Sequence, residues 1–212
     1  FNDENNPSLK HYFREVSYNQ LEVNSVYVNS LQGNVFSFQD SFPKSYYQPR
    51  TVNNPNGCVE ERFCNLIGNC QYEESDVGKF RVDELMNRIS EYINLAIDTA
   101  YNYDIDNDNT FDAITLIVSD AVVSGREMLW AHMHTIGKNS LKNKIFIDSL
   151  KVKKFILLNN KYPNVGTICH EFFHVLGAPD LYIEDKKYDN NKPVGTWSLM
   201  SYNNVIPQYM TM

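Results

Sequence analysis

His170 and His174 stand four residues apart in TICHEFFHVLGAPDLY, with Glu171 directly after the first and Asp180 ten residues beyond it. On a helix, residues at that separation lie one turn apart on the same face, so two imidazole nitrogens can aim at a single point. Zinc suits such a point. It takes imidazole nitrogen at about 2.0–2.1 Å, and a catalytic zinc typically uses three protein ligands and leaves one place for water. Glu171, beside the first histidine, can reach that water without ligating the metal. The bland alternative is that polar residues have fallen by chance into this spacing on an apolar helix. The three side chains would then point to separate places.

A third ligand has few sources. Gly177 follows three residues after His174, where a helix can end in a left-handed turn that glycine adopts without steric cost, and Pro179 stops continuation. The chain must reverse there, which brings Asp180 back toward the helix. No histidine follows His174, and the other acids downstream are Glu184, Asp185 and Asp189. Glu184 is too close to His174 to come from a separate later helix. Asp180 is therefore the expected third ligand.

Three further groups could do chemistry. Asp104, Asp106, Asp108 and Asp112, with Thr110 among them, crowd carboxylates into DIDNDNTFD. Such groups repel unless a cation sits among them, and calcium, which takes six to eight oxygens, is the expected ion against a merely hydrated acidic turn. The loop is not an EF-hand, because Asn109 stands at the turn glycine and Thr115 at the bidentate glutamate. His132 and His134 would share one face of a strand, giving either a second metal position or packing and substrate contact. His11 is expected at the surface. Of the four cysteines, Cys169 adjoins His170 and is expected as a buried free thiol, leaving Cys58, Cys64 and Cys70 to form at most one disulfide.

Several elements must position these groups. Pro7 followed by SLKHYFREVS predicts a short opening helix, and QLEVNSVYVNSLQGNVFSF alternates as half-buried strands do. Residues 39–78, punctuated by Pro43, Pro49, Pro55, Gly57 and Gly68, predict mostly loop. From Val82 through Leu85, Met86, Ile89, Ile93 and Ile97 to Ala100, apolar residues recur at helical spacing and predict a helix over 82–101. FDAITLIVSD predicts a buried strand, EMLWAHMH and NKIFIDSLKVKKFILLNN two or three more, and a second helix is expected at about 164–177. Strands interleaved with helices in this way predict a helix-backed sheet.

Composition narrows the function classes. A chain of 212 residues with 42% apolar content and 21% charge has the material for one folded domain. A net charge of -7 without any Lys/Arg run excludes a phosphate-tracking nucleic-acid partner. The longest apolar runs, such as FILL at 155–158, are far shorter than a membrane span. Phe1 is not an initiator methionine, so a preceding segment is expected to have been removed.

HEFFHVLGAPDLY followed by GTWSLMSY resembles the metzincin clan of zinc endopeptidases, most closely the secreted immune inhibitor A family, whose third ligand is Asp. HYFREVSYNQLEV, DIDNDNTFDAITLIV and LWAHMH resemble segments in corresponding places of that family's catalytic domain. The resemblance implies an α+β, metzincin-like fold: a twisted mixed sheet backed by helices, an active-site helix and a short C-terminal lobe containing a Met-turn. It implies one catalytic domain over 1–212, with 1–177 as upper lobe and 178–212 as lower lobe. His170, His174 and Asp180 would ligate zinc, Glu171 would be the general base, Met200 would pack beneath the imidazoles and Tyr202 would meet the oxyanion, an ordinary core Met and a buried hydrogen-bonded Tyr being the alternatives. A calcium in the acidic loop, a protein or peptide substrate, a monomeric state and secretion are further implications. Phe173 stands where such families usually carry Gly, and only ten residues follow Tyr202, so a reshaped site floor and a short lower lobe are expected. A zinc hydrolase of other substrates and a silent binding module are the rival readings, and the intact Glu171 speaks against the second.

Overall fold

The structure, a computed structural model, describes residues 1–28, 36–48, 50–58, 76–119, 128–137, 145–161, 164–182, 194–202 and 207. Cys64 and Cys70, and with them the disulfide expected in that stretch, lie outside the described residues, as do Glu184, Asp185 and Asp189. The fold is mixed α+β. Two compact units are formed by Phe1–Val26 with Tyr162–Met212, and by Tyr27–Lys161.

In the first unit, α1 covers Leu9–Val16 and packs against the later helix over Val165–Val175, which is α3. Ser8 starts α1 by accepting the His11 N–H on its hydroxyl, the N-cap bond that supplies an otherwise orphaned amide with a partner. One face of α1 buries Leu9, Tyr12 and Phe13, and the Phe13 ring packs against α3, edge-on at 5.0 Å from Phe172 and tilted at 4.7 Å from Phe173. Both adjacent phenylalanines therefore join this cluster, together with the fully buried Leu199. His11 is half-buried rather than fully at the surface, because it lies beside the buried Tyr12 on a short helix.

The second unit is built on a mixed sheet of order β1-β5-β2, with β1 at Thr115–Val118, β2 at His132–Thr135 and β5 at Lys154–Asn159. β5 runs parallel to β1, pairing Thr115 with Ile156, and antiparallel to β2, pairing His134 with Phe155. A small antiparallel pair, β3 (Phe146–Ile147) and β4 (Leu150–Lys151), completes the strands expected before α3. The central strand carries the core: Phe155, Ile156, Leu157 and Leu158 are all buried. Each such side chain contributes about 1.5–3 kcal/mol on leaving water. β1 was expected buried, but Ile117 is 55% exposed, because β1 has a strand neighbour on one side only among the described residues.

Two expected elements shift. The long helix, α2, occupies Asp76–Ala96 rather than 82–101. Its buried face is the predicted one, with Val82, Leu85, Met86, Ile89 and Ile93, but Asp98 turns back to accept the Ala100 N–H and Asn102 accepts that of Asp104. Such local bonds compete with the helical ladder and end it early. Residues 20–28 and 36–38 form no strand ladder, although Leu21, Val23 and Ser25 are less exposed than Glu22, Asn24 and Val26, as alternation predicts. The Phe36 N–H to Val28 carbonyl bond links the two stretches. Alternation fixes which face is buried, while a strand needs a paired neighbour.

Candidate metal centre

α3 delivers the histidines. Asn164 caps it by accepting the Thr167 N–H at 2.7 Å, and the helix ends as a Schellman motif: the Gly177 N–H bonds to the His174 carbonyl and the Ala178 N–H to the Phe173 carbonyl, both at 3.0 Å. Gly177 sits at φ +97, the left-handed conformation expected for it, and the chain reverses into Asp180.

The three expected ligands converge. His170 Nε2 and His174 Nε2 are 3.2 Å apart, and Asp180 Oδ1 lies 3.2 Å from the first and 3.3 Å from the second. Tetrahedral zinc ligands held at about 2.0–2.1 Å stand about 3.3 Å from one another, so this nearly equilateral triangle has the size of one face of a zinc tetrahedron. Proton accounting points the same way. His170 Nδ1 donates to the Leu199 carbonyl at 2.9 Å and His174 Nδ1 to the Ala178 carbonyl at 2.8 Å. Each neutral ring thus keeps a bare lone pair at Nε2, and Asp180 Oδ1 is buried with no hydrogen-bond donor. Three acceptors facing one point are stable only with a cation between them or with protons added. The donor set, two imidazoles and a carboxylate, fits zinc.

Without a cation the same geometry polarises the groups strongly. Burial works against charging His170 and His174, yet the Asp180 carboxylate, together with the Glu171 charge and the carbonyls behind the rings, more than offsets it and raises both imidazoles above their ordinary value. Burial likewise opposes the Asp180 charge, and the two imidazoles outweigh it, holding the carboxyl well below the usual carboxylate range. Cys169, behind the first ligand on α3, is a buried free thiol as expected, and burial pushes it up to about 12. It stays protonated and apolar in character.

The remaining predicted residues are placed as follows. Glu171 is buried on α3, 5% exposed. Met200 is fully buried in the turn that follows a 3-10 segment at Gly195–Trp197, while Tyr202 is 45% exposed. Phe173 faces Tyr12 and Phe13 of α1, so the side chain in the glycine position is occupied in helix packing.

In the second unit, Asp104, Asp106 and Asp108 bring carboxylate oxygens within 4.8 Å of one another. Asp112 instead accepts the Ile105 N–H, and Thr110 donates its hydroxyl to Asp108. Asp104 accepts the amides of Asp108 and Asn109, and Lys153 reaches Asp108 at 3.0 Å, so backbone amides and one lysine already offset part of the repulsion. His132 and His134 do share a face of β2, but neither joins a group of three converging ligands among the described residues. His134 Nε2 is 2.9 Å from the buried Asp83 Oδ1, and His132 Nδ1 donates to the Trp130 carbonyl at 2.9 Å, burial pushing His132 down to about 4. His134 is buried against Asp83 and the Phe155 ring. Asp83, which also accepts the Gly137 N–H, was not singled out from sequence, since a carboxylate on the long helix 51 residues before its histidine leaves no local pattern. The Leu199 and Ala178 carbonyls were missed for a different reason: a backbone acceptor has no residue type.

No curated protein matches the chain. Over residues 115–206, which include His170, Glu171, His174 and Asp180, the chain matches the immune inhibitor A peptidase M6 catalytic domain, the metallopeptidase family that its sequence resembles.

Proposed function

We propose that this protein is a zinc-dependent endopeptidase in which His170, His174 and Asp180 hold the metal and Glu171 is the general base. The observation that carries the reading is the 3.2–3.3 Å triangle of lone pairs whose two imidazoles are fixed from behind by backbone carbonyls. When bound, zinc supplies Lewis-acid polarisation of the scissile carbonyl and lowers the pKa of a coordinated water toward about 7. Glu171, one residue after the first ligand, takes the proton from the attacking water and passes it to the leaving amine. The Leu199 and Ala178 carbonyls hold both rings in the tautomer that leaves Nε2 free to ligate. Met200 packs beneath the imidazoles as the Met-turn residue, and the exposed phenol of Tyr202 donates a hydrogen bond to the negative charge developing on the carbonyl oxygen. A protein or peptide substrate, action outside the cell and a monomeric state complete the reading.

The test is metal analysis of the purified protein coupled to degradation of an unstructured protein, with and without chelator. Glu171→Ala is expected to retain one equivalent of zinc and to lose more than about 1,000-fold in kcat, a base contributing typically 10²–10⁴-fold. A variant that still cleaves at the original rate removes Glu171 from the mechanism. Peptide and ester panels separate a protease from a hydrolase of other substrates. Calcium in the acidic loop belongs to the same reading as a structural ion rather than a participant in hydrolysis, and rests on the convergence of Asp104, Asp106 and Asp108. Titration calorimetry with calcium tests it, and the absence of saturable heat leaves the loop a hydrated acidic turn.

A further inference from the structure

The turn after the 3-10 segment touches two of the three ligands at once. Its Leu199 carbonyl takes the His170 Nδ1 proton at 2.9 Å, and its Met200 carbonyl takes the Leu181 N–H, next to Asp180, at 2.8 Å. A rotation of the Leu199–Met200 peptides would therefore displace an imidazole and a carboxylate together. What closes the turn is Ser198. Its hydroxyl oxygen accepts the Met200 N–H at 3.3 Å, and its carbonyl accepts the Ser201 N–H at 3.0 Å and the Tyr202 N–H at 3.1 Å. Ser198 is completely buried, so water cannot replace that hydroxyl.

We infer that Ser198 is a positioning residue for the metal ligands, its hydroxyl fixing the Met200 amide and thereby the two carbonyls that aim His170 and anchor the Asp180 loop. The role presupposes the metal reading given above. Side chains that bond to their own backbone two residues on stabilise such turns locally, and partners standing behind metal ligands typically govern affinity by 10–100-fold. Ser201 provides a matched comparison within the same turn: it is 6% exposed, and its hydroxyl has no hydrogen-bond partner among the described residues.

The experiment compares Ser198→Ala and Ser201→Ala with the unaltered chain by zinc competition against a chromophoric chelator, alongside thermal unfolding of the metal-free proteins. Ser198→Ala is expected to weaken zinc binding about tenfold, with Ser201→Ala unchanged. Equal affinity for Ser198→Ala, or an equal loss in Ser201→Ala, overturns the assignment. Should Ser198→Ala fail to fold, Ser198→Cys, whose thiol is a weaker acceptor of similar shape, is read in the same way. A second readout needs no metal. Nitrogen-15 NMR of the metal-free protein, at a pH above the raised imidazole range so that the ring is neutral, should show His170 as a single Nδ1–H tautomer in the unaltered chain and as an averaging ring in Ser198→Ala. An unchanged ring overturns the role of Ser198 even if the unaltered chain takes up no zinc, an outcome that would sink the proposed function by itself.

Discussion

Asp180→Asn keeps the shape of the third ligand and removes its charge. The affected oxygen stands 3.2 Å from His170 Nε2 and 3.3 Å from His174 Nε2, buried and without a donor. Zinc sites of four ligands bind with about 10–16 kcal/mol, roughly 3 kcal/mol per ligand. An amide oxygen retains part of that, so the loss should be about 2–3 kcal/mol, or about 30- to 150-fold in Kd. Chelator competition at fixed pH and ionic strength measures it. A Kd within about threefold of the unaltered chain would mean that Asp180 is not a ligand. The metal-free protein gives an independent check through pH. His170 and His174 have raised folded-state values, so their stabilisation is full below the ordinary imidazole value of 6.5 and is lost as pH rises through the raised values. Asp180 has a depressed value, so its stabilisation is full above the ordinary 3.8 and is lost as pH falls through the depressed one. The stability difference between the unaltered chain and Asp180→Asn, both metal-free, should accordingly be greatest between those two ordinary values and shrink on either side. A difference independent of pH from about 5 to 9, the window across which the imidazole contribution is lost, would refute the pairing.

Gly177→Ala should cost about 1–2 kcal/mol, because φ +97 is closed to an L side chain although an added Cβ would meet nothing within 4 Å. Differential scanning calorimetry should show Tm falling by about 2–4 °C per kcal/mol in a chain of this size. Asp40→Asn should destabilise by about 2 kcal/mol, since the half-buried carboxylate receives Arg88 through Nε at 2.7 Å and Nη2 at 3.1 Å, and also the Tyr47 hydroxyl. Burial opposes that carboxylate, but Arg88 and Tyr47 hold it below its ordinary value, so urea titrations should find its contribution complete above pH 3.8 and fading as pH falls through the lowered value.

Sequence alone settled the elements whose cause is local. α3 was legible because an apolar stripe and a Gly-x-Pro stop lie within one stretch, and its histidine spacing is meaningful only on a helix; its Asn164 cap came only with the structure. Even Asp180 could be read, since Gly177 and Pro179 force the chain back. The end of α2 was misjudged because Asp98 and Asn102 compete for backbone bonds by an amount that periodicity does not register. What only the tertiary structure decided was everything joined across distance: which strand sits centrally, where Asp83 meets His134, and that the Leu199 carbonyl 29 residues on fixes His170. Residue types announce what a side chain can bond to. Which partner it receives depends on loop closure and packing, and a backbone carbonyl, present in every residue, leaves no mark in the sequence at all.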